Sequence, residues 1–136
     1  MLSKKTQYAL KALTYMAERK KEGPILIAEI SKKKKIPLKF LENILLELKK
    51  AGLLESKKGK GGGYFFKVDP KDIPLAQVMR LIEGPIALLP CVSLNFYEKC
   101  KDCEEKKCGL NRVMKLVRDN TLEILENKTV ADLMAK

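Results

Sequence analysis

The sequence predicts a mainly α-helical fold with one small β-hairpin, completed by a long C-terminal helix. Three observations predict this fold. Several segments carry apolar residues at the i, i+3, i+4, i+7 spacing of a helix that is buried on one face. Two short apolar runs flank a loop rich in glycine and lysine, residues 56–64, and apolar runs joined by such a loop indicate a hairpin. The chain has 136 residues and is 46% hydrophobic, which suffices for one ordinary domain or a small domain with an assembly arm.

The first two predicted helices lie before residue 36. Ser3 is suited to cap a helix over about residues 4–20, and Gly23-Pro24 ends that helix. Its apolar stripe consists of Ala9, Ala12, Leu13 and Met16. A short second helix is expected over about residues 27–33. The lysine run at 32–35 closes it, because positive charge suits a helix C-terminus.

A third helix is predicted to begin at Pro37, since the first position of a helix tolerates proline. Its core-facing residues are Leu41, Ile44, Leu45 and Leu48. A second set gathers on the opposite side: Lys39, Glu42, Asn43, Leu46 and Lys50. Gly52 is suited to end the helix. The order helix, short helix, turn, helix and hairpin within ~70 residues predicts a winged helix-turn-helix.

The hairpin tip combines small residues with positive charge. The glycines at 59 and 61–63 allow positive φ values and close approach of the backbone to another molecule. Lys57, Lys58 and Lys60 supply charge that seeks phosphate. Such a tip suits a wing that contacts a DNA backbone, and a flexible, solvated hairpin is the alternative interpretation.

The second half of the chain is predicted to be an assembly arm. Asp69-Pro70 ends the wing, and a fourth helix is expected over residues 75–83. A cysteine-bearing loop over 86–109 leads to a long helix over 110–126, and Thr129 caps a last short helix. One face of the long helix carries Leu110, Val113, Met114, Val117, Thr121 and Ile124, and Leu116, Leu122 and Leu125 widen the apolar surface. A helix that is apolar on more than one side is buried on more than one side, which predicts an isologous dimer.

The excess positive charge is confined to the half of the chain that carries the hairpin. Residues 1–71 hold 18 Lys and Arg against 7 Asp and Glu, whereas residues 72–136 hold ten of each, so the net charge of +11 belongs to the first half. This distribution is typical of a module that binds nucleic acid.

No apolar stretch is long enough to span a bilayer, and the N-terminus lacks the h-region of a signal peptide. We therefore expect a soluble cytoplasmic protein with no membrane partner, and the absence of a catalytic constellation argues against an enzyme.

All four cysteines lie within eighteen residues: Cys91, Cys100, Cys103 and Cys108. In a chain without an export signal, such a cluster indicates metal or redox chemistry rather than structural disulfides. Thiolates are soft ligands that select iron–sulfur clusters, zinc or Cu(I), and spacing alone leaves cluster and zinc nearly level. The chain has no histidine, which excludes Cys/His zinc fingers and histidine-based catalysis. A reversible disulfide and four inert thiols remain as alternatives.

Several segments together resemble the IscR/NsrR family of bacterial winged-helix transcription regulators, over almost the whole chain. They are LSKKTQYAL (2–10), IPLKFLENIL (36–45), LKKAGLL (48–54), SKKGKGGGY (56–64), IEG (82–84), the cysteine loop and TVADL (129–133). A wing followed by a cysteine cluster is a specific combination, whereas either half alone is a weak signal.

The resemblance implies a homodimer that binds a two-fold symmetric double-stranded DNA operator through paired recognition helices and wings. It implies that Leu38, Lys39, Glu42 and Asn43 face the major groove, and that Lys58 with Gly61, Gly62 and Gly63 meets the backbone or minor groove. The expected DNA-binding set is completed by Ser3, Lys4, Lys5 and Lys60, with the lysines on phosphates. Asn43 is suited to pair with adenine and Glu42 to accept from cytosine N4, while an ordinary solvated helix face is the alternative for these two.

The resemblance also implies a 2Fe–2S or 4Fe–4S cluster in the loop before the long helix; we favour 2Fe–2S, with zinc as the alternative. The family uses three cysteines, and the corresponding residues here are Cys91, one of Cys100 or Cys103, and Cys108. Some members place a histidine ligand where this chain has Asn111, and others recruit an acidic ligand where it has Gln7. The extra cysteine of the Cys100/Cys103 pair is suited to replace either ligand, which would give an all-thiolate site.

These observations predict four regions in the chain. They are a winged helix-turn-helix DNA-binding region (1–70), a linking helix (71–90), a cluster-binding loop (91–108) and a dimerisation helix with a C-terminal segment (109–136). We interpret the protein as a redox-sensing transcription regulator whose operator binding is modulated by a cysteine-ligated iron–sulfur cluster. The alternatives are a cluster-free regulator switched by a disulfide, and an iron–sulfur electron carrier.

Overall fold

Five α-helices, one two-stranded antiparallel sheet and several 3-10 turns make up the computed structural model, which describes residues 2–135. The helices are α1 (Lys4–Glu18), α2 (Ile27–Lys34), α3 (Leu38–Lys50), α4 (Leu75–Ile82) and α5 (Gly109–Asn127), and the strands are β1 (Leu54–Lys57) and β2 (Gly63–Phe66). The mainly helical fold with one hairpin is confirmed. The outer limits of the predicted regions, residues 1 and 136, lie outside the described residues.

The core of the N-terminal half lies among α1, α2, α3, the hairpin and α4. The apolar stripe predicted for α1 is buried, as are the core-facing residues predicted for α3. Burying one large aliphatic side chain stabilises the fold by about 1.5–3 kcal/mol. The four buried positions of α3 therefore determine which side of that helix points inward, and its opposite side is left in solvent.

The turn between α2 and α3 is short and internally bonded. Lys35 adopts a left-handed conformation with a φ of 54°. The Ile36 N–H donates to the Ser31 carbonyl at 3.0 Å, and the Ser31 hydroxyl donates to the Ile36 carbonyl at 2.5 Å. Because Ile36 is buried and Pro37 immediately precedes α3, the turn holds the two helices of the helix-turn-helix at a defined angle.

The wing is joined to the rest of the fold by a third extended segment. β1 pairs with β2 along its full length. Ile25, in the loop before α2, pairs with Tyr64 of β2 through two main-chain hydrogen bonds of 2.8 and 2.9 Å. The hairpin is therefore held at its base rather than projecting freely.

Two of the wing glycines are needed for packing within the chain itself. A Cβ atom on Gly63, whose φ is +140°, would lie 2.4 Å from both the carbonyl carbon and the oxygen of Ile25. A Cβ atom on Gly62 would lie 2.3 Å from the carbonyl oxygen of Lys57. The sequence predicted that these glycines allow close approach of another molecule. The structure shows a second reason for glycine at both positions, since a side chain would collide with the main chain of the protein itself.

Replacing Gly63 with alanine is expected to destabilise the protein, because the added Cβ would collide with the Ile25 main chain at an unfavourable φ. Backbone strain of this kind alone costs about 1–3 kcal/mol, and the collision adds to it. Urea unfolding followed by circular dichroism measures the loss. Gly59→Ala is the control, since Gly59 also has a positive φ, +88°, but open space where a Cβ would lie. Equal losses for the two variants would contradict the steric explanation.

The C-terminal segment packs against the start of α4 and against α1. Thr129 and Asp132 form the capping box of a final 3-10 turn, Val130–Leu133, which confirms the predicted cap at Thr129. Val130 is fully buried in the main core. The Ala135 N–H donates to the Glu18 carboxylate at 3.0 Å, so the end of the described chain is tied to α1.

The outer face of α5 is apolar and exposed. The exposed large apolar residues on this helix are Leu110, Val113, Leu116, Val117 and Ile124. Most of the predicted stripe therefore points away from the rest of the chain, and it is Leu122 and Leu125, predicted only to widen the surface, that pack inward. Within residues 2–135, no helix has both the length and the hydropathy needed to cross a bilayer.

Candidate nucleic-acid interface and cysteine site

The outward side of α3 carries the residues predicted to contact DNA bases. Lys39, Glu42 and Asn43 are exposed, and Leu38 and Leu46 keep 45% and 42% of their surface in solvent. The structure thus brings these side chains together on one strip of the helix. A helix surface with amide, carboxylate and apolar groups has the donors, acceptors and methyl contacts that base edges require.

A groove of about 420 Å³ separates α3 from the wing. Leu38 and Glu42 of α3 line one side of the groove, and Gly62 of the wing lines the other. Leu26, the residue immediately before α2, also lines it. Leu26 is 58% exposed and is a candidate contact that the sequence did not single out. It was missed because it stands in an apolar run that otherwise supplies core residues.

The lysines predicted to contact phosphates differ between the wing tip and the N-terminus in their exposure and in their ion pairing. Lys58, Lys60 and Gly61 are exposed at the tip. Lys4 is also exposed, whereas the Lys5 ammonium lies 2.7 Å from the Glu47 carboxylate and joins α1 to α3. Of the lysines predicted to contact phosphates, those of the wing and Lys4 are therefore exposed, whereas Lys5 already forms an ion pair with Glu47.

Glu83 connects the end of α4 to the beginning of α1. The Ser3 N–H donates to Glu83 Oε1 at 2.9 Å, and the Thr6 hydroxyl, which is fully buried, donates to Glu83 Oε2 at 3.2 Å. These hydrogen bonds, first of all the one from the Ser3 backbone, hold the pKa of the Glu83 carboxyl below its usual value. The carboxylate is also favoured at a helix N-terminus by the helix dipole. The sequence did not predict this contact, and the only sequence feature that drew attention to Glu83 was the IEG segment (82–84).

The four cysteines lie in and beside the loop between α4 and α5, and all are half-buried free thiols. The side-chain amide of Asn111 donates to Cys91 Sγ at 3.3 Å, and its backbone N–H donates to Cys108 Sγ at 3.4 Å. Cys103 is hydrogen-bonded to both Cys100 and Cys108. The fold therefore gathers all four predicted thiols into one chain of contacts.

Comparison with known proteins places this architecture in a family. The sequence profile of the Rrf2 family, described as an iron-dependent transcriptional regulator, matches residues 2–136. The chain belongs to the Rrf2 family. An rrf2-like HTH-type transcriptional regulator of Rhodobacter capsulatus is 39% identical over 139 residues, which cover 99% of this chain and 93% of the relative.

Two solved structures support the fold of this Rrf2 protein over its whole length. CymR, the global cysteine regulator of B. subtilis, aligns with a TM-score of 0.80 and 29% identity, covering 98% of this chain and 95% of CymR. T. potens IscR aligns with a TM-score of 0.75 and 26% identity, covering 100% of this chain and 93% of IscR. The resemblance to IscR-type regulators and the winged-helix fold are confirmed. The protein is a DNA-binding transcription regulator of the Rrf2 type.

The donor set of this Rrf2 regulator suits a thiolate-bound iron–sulfur cluster. Four soft sulfur atoms are available in a chain without histidine, and two N–H groups of Asn111 point at two of the sulfurs. Hydrogen bonds to sulfur are the contacts by which proteins orient and tune such ligands. Among residues 2–135, however, no three Cys, Asp or Glu side chains are arranged to hold a single metal ion. The four cysteines fit a cluster by their chemistry, while in this structure they are free thiols that take part in hydrogen bonds with Asn111 and with one another.

The two central thiols of this Rrf2 regulator share a hydrogen bond that separates their acidities. The bond to Cys100 is the largest cause that raises the pKa of the Cys103 thiol to about 12. The same bond is the largest cause that lowers the pKa of Cys100. Cys100 is therefore the more acidic thiol of the pair, and Cys103 is the one that keeps its proton to higher pH.

Cluster-free protein is expected to alkylate at Cys100 before Cys103 as the pH rises, because a lowered pKa places the thiolate of Cys100 at the lower pH. Iodoacetamide labelling at a series of pH values, read by peptide mass spectrometry, measures the order. In Cys103→Ala the donor is lost, so the pH of half-maximal labelling at Cys100 should move up toward that of an ordinary cysteine. Labelling of both thiols at the same pH in the wild type would contradict the assignment.

Proposed function

We propose that this chain forms a homodimer that binds a two-fold symmetric DNA operator, with an affinity set by an iron–sulfur cluster that the four cysteines hold. The observation that carries the proposal is the position of the cysteine loop. The segment that carries it runs from the end of α4, where Glu83 is bonded to the beginning of α1, to Cys108, which caps α5. The description of the family as iron-dependent supports this class of cofactor.

The proposed DNA contacts follow from charge and exposure. Asn43 and Glu42 are suited to read adenine and cytosine, and Lys39, Lys58 and Lys60 are suited to bind phosphates, which orient the protein without reading sequence. If a dimer neutralises ~6–8 phosphates, the logarithm of the binding constant should fall against log[salt] with a slope of about −5 to −7.

The exposed face of α5 is the proposed dimer interface. Val113 and Val117 lie four residues apart, and Val117 and Ile124 lie seven apart, so the three side chains form one stripe along the helix. Two copies of the same stripe can pack against each other about a two-fold axis, as in an isologous dimer. Such a dimer would set the spacing of two recognition helices, whose half-sites on DNA lie about one helical turn, ~34 Å, apart.

Contacts within the chain connect the cysteine loop to both ends of this assembly. Glu83 bonds to the start of α1, and α1 is joined to α3 through Lys5 and Glu47. On the other side, the Arg118 guanidinium of α5 donates to the Val92 carbonyl of the loop at 2.8 Å. A rearrangement of the loop would therefore act on the DNA-binding half and on the dimer helix together. When bound, the cluster supplies a redox couple whose potential depends on its ligands and on hydrogen bonds to sulfur.

A cluster-free regulator switched by a Cys100–Cys103 disulfide is the second candidate. The hydrogen bond between these two thiols favours it. Oxidation would form one S–S bond and release two protons and two electrons, which an oxidant such as a peroxide would accept. The lowered pKa of Cys100 suits it as the attacking thiolate.

Anaerobic purification followed by iron and sulfide assays and absorption spectroscopy tests the cofactor. The expected result is coloured protein that contains iron and acid-labile sulfide, with a weakened or altered spectrum when each cysteine is changed to serine. Colourless, iron-free protein whose DNA affinity changes on oxidation would favour the disulfide switch.

Binding to fragments selected from random double-stranded DNA tests the regulation. Cluster-loaded and cluster-free protein are compared by gel shift over a range of salt concentrations. We expect sequence-specific binding whose affinity differs between the two forms. Weak, sequence-blind retention would favour the electron carrier, and equal affinity of the two forms would reject the sensor.

A further inference from the structure

Asn111 is a buried amide located between two of the cysteines. It lies in the first turn of α5 and keeps only 2% of its surface exposed. Its side-chain Nδ2 donates to Cys91 Sγ at 3.3 Å, and its backbone N–H donates to Cys108 Sγ at 3.4 Å. Cys91 and Cys108 are the first and last cysteines of the eighteen-residue loop, so one residue contacts both ends of it.

The chemistry of the amide points to hydrogen-bond donation. A carboxamide carries two N–H donors and one oxygen acceptor, and burying it without partners would cost free energy. Sulfur is a weak acceptor when neutral, and hydrogen bonds are stronger when the acceptor carries charge. Amide N–H groups aimed at two sulfurs therefore suit thiolates, the form in which cysteine binds a metal. An asparagine ligates a metal through its amide oxygen, whereas here it is Nδ2, whose electron pair is delocalised into the amide, that faces Cys91 Sγ.

We propose that Asn111 is a positioning residue that holds Cys91 and Cys108 in one site by donating hydrogen bonds to their sulfurs, and that it is not itself a ligand. The proposal rests on the proposed iron–sulfur function and refines it, because it leaves all protein ligands to be cysteines. It has a consequence in the cluster-free protein as well. The amide anchors the short turn at Pro90–Val92 to α5.

Two substitutions separate the donor from the volume of the side chain. Asn111→Asp keeps the size and shape of the side chain but removes its N–H donors, and Asn111→Ala removes both the volume and the donors. Each variant keeps the backbone N–H that faces Cys108, so the comparison tests the side-chain bond to Cys91. Asn127→Ala is the matched control, since Asn127 is an exposed asparagine of the same helix whose side chain bonds only to the Glu123 carbonyl, at 2.6 Å, among the hydrogen bonds of the described chain. Circular dichroism verifies that each variant keeps its fold.

The first measurement uses cluster-free protein and hydrogen exchange at the loop. The Val92 and Ser93 amides are protected by bonds to the carbonyls of Leu89 and Pro90, each at 3.2 Å. Losing the anchor should speed their exchange by about fivefold in both Asn111 variants, as expected for the loss of one hydrogen bond. Asn127→Ala should leave the exchange rates unchanged.

The second measurement uses protein reconstituted anaerobically with iron and sulfide. N–H···S bonds stabilise the more negative, reduced state, so both Asn111 variants should show a more negative reduction potential and an altered electron paramagnetic resonance spectrum of the reduced cluster. The shift should be larger in Asn111→Asp, which adds negative charge. Asn127→Ala should match the wild type.

Each outcome decides between the two proposals. Unchanged exchange rates and an unchanged potential in both Asn111 variants would overturn the role of Asn111. An effect in Asn111→Ala alone would also overturn it, since lost volume rather than a lost donor would explain the change. Wild-type protein that takes up no iron and sulfide would reject the cluster function instead, and the exchange measurement would then decide the role of Asn111 without it.

Discussion

Substituting Val113 and Ile124 together with glutamate is expected to convert the dimer to monomers and to weaken operator binding by about 10²–10⁴-fold. Val113 and Ile124 expose 47% and 60% of their surface on α5, so the charges should not disturb the core of one chain. In an isologous interface each substitution occurs twice, which would bury four carboxylates beside one another. The loss in affinity follows because a monomer gives up the effective concentration that links its two half-sites.

Sedimentation velocity and gel shift on the same samples measure the two effects. Lys115→Glu is the matched control, because it changes the net charge of the chain by the same two units from an exposed position outside the apolar stripe. It should remain dimeric. A double variant that stays dimeric at the wild-type concentration would show that α5 is not the interface, whatever happens to DNA binding.

Substituting Asn43 with alanine is expected to cost about 1–3 kcal/mol per half-site, which is the free energy of one base-reading contact. The preference for one base pair should relax, and other sequences should be bound nearly as before. Lys58→Ala should instead weaken binding to all sequences alike and reduce the salt slope by about one for each protomer. The difference arises because an amide reads a base edge, whereas an ammonium neutralises a phosphate.

Titration of a selected DNA fragment and of its single-base variants, at several salt concentrations, separates the two behaviours. Asn127→Ala, on the exposed end of α5, controls for loss of an asparagine away from α3. If Asn43→Ala keeps the full base preference of the wild type, the outward side of α3 is a solvated surface and sequence is read elsewhere. Leu26 and Leu38, which line the adjoining groove, would then be the next candidates.

Much of the fold could be predicted because its elements are locally encoded. Leu41, Ile44, Leu45 and Leu48 repeat at helical spacing, and all four are buried in α3. The same pattern on α5 was harder to interpret, because two apolar faces are visible in the sequence and only packing against the rest of the chain decides which one is inward. Leu122 packs inward and Ile124 stays outside.

The candidate site, too, could be predicted only in part from the sequence. The density of four cysteines in a chain without histidine indicated thiolate chemistry from the sequence alone. Glu83 and Asn111 were marked only by the family resemblance, and neither was predicted to make the contacts that it makes, since one acidic residue and one amide among many polar residues look ordinary. Their importance comes from the hydrogen bonds they make, to Ser3 and Thr6 in one case and to two sulfurs in the other.

The sequence by itself determined the order of helices and hairpin, the basic half of the chain and the sulfur-rich loop, because periodicity, charge and residue type are properties of neighbouring residues. Only the tertiary structure decided that Gly63 must lack a side chain beside Ile25, that Glu83 closes on the start of α1 and that Asn111 lies between Cys91 and Cys108. The physical reason is that each of these contacts joins segments far apart along the chain, and its energy depends on distances that arise only when the core has brought those segments together.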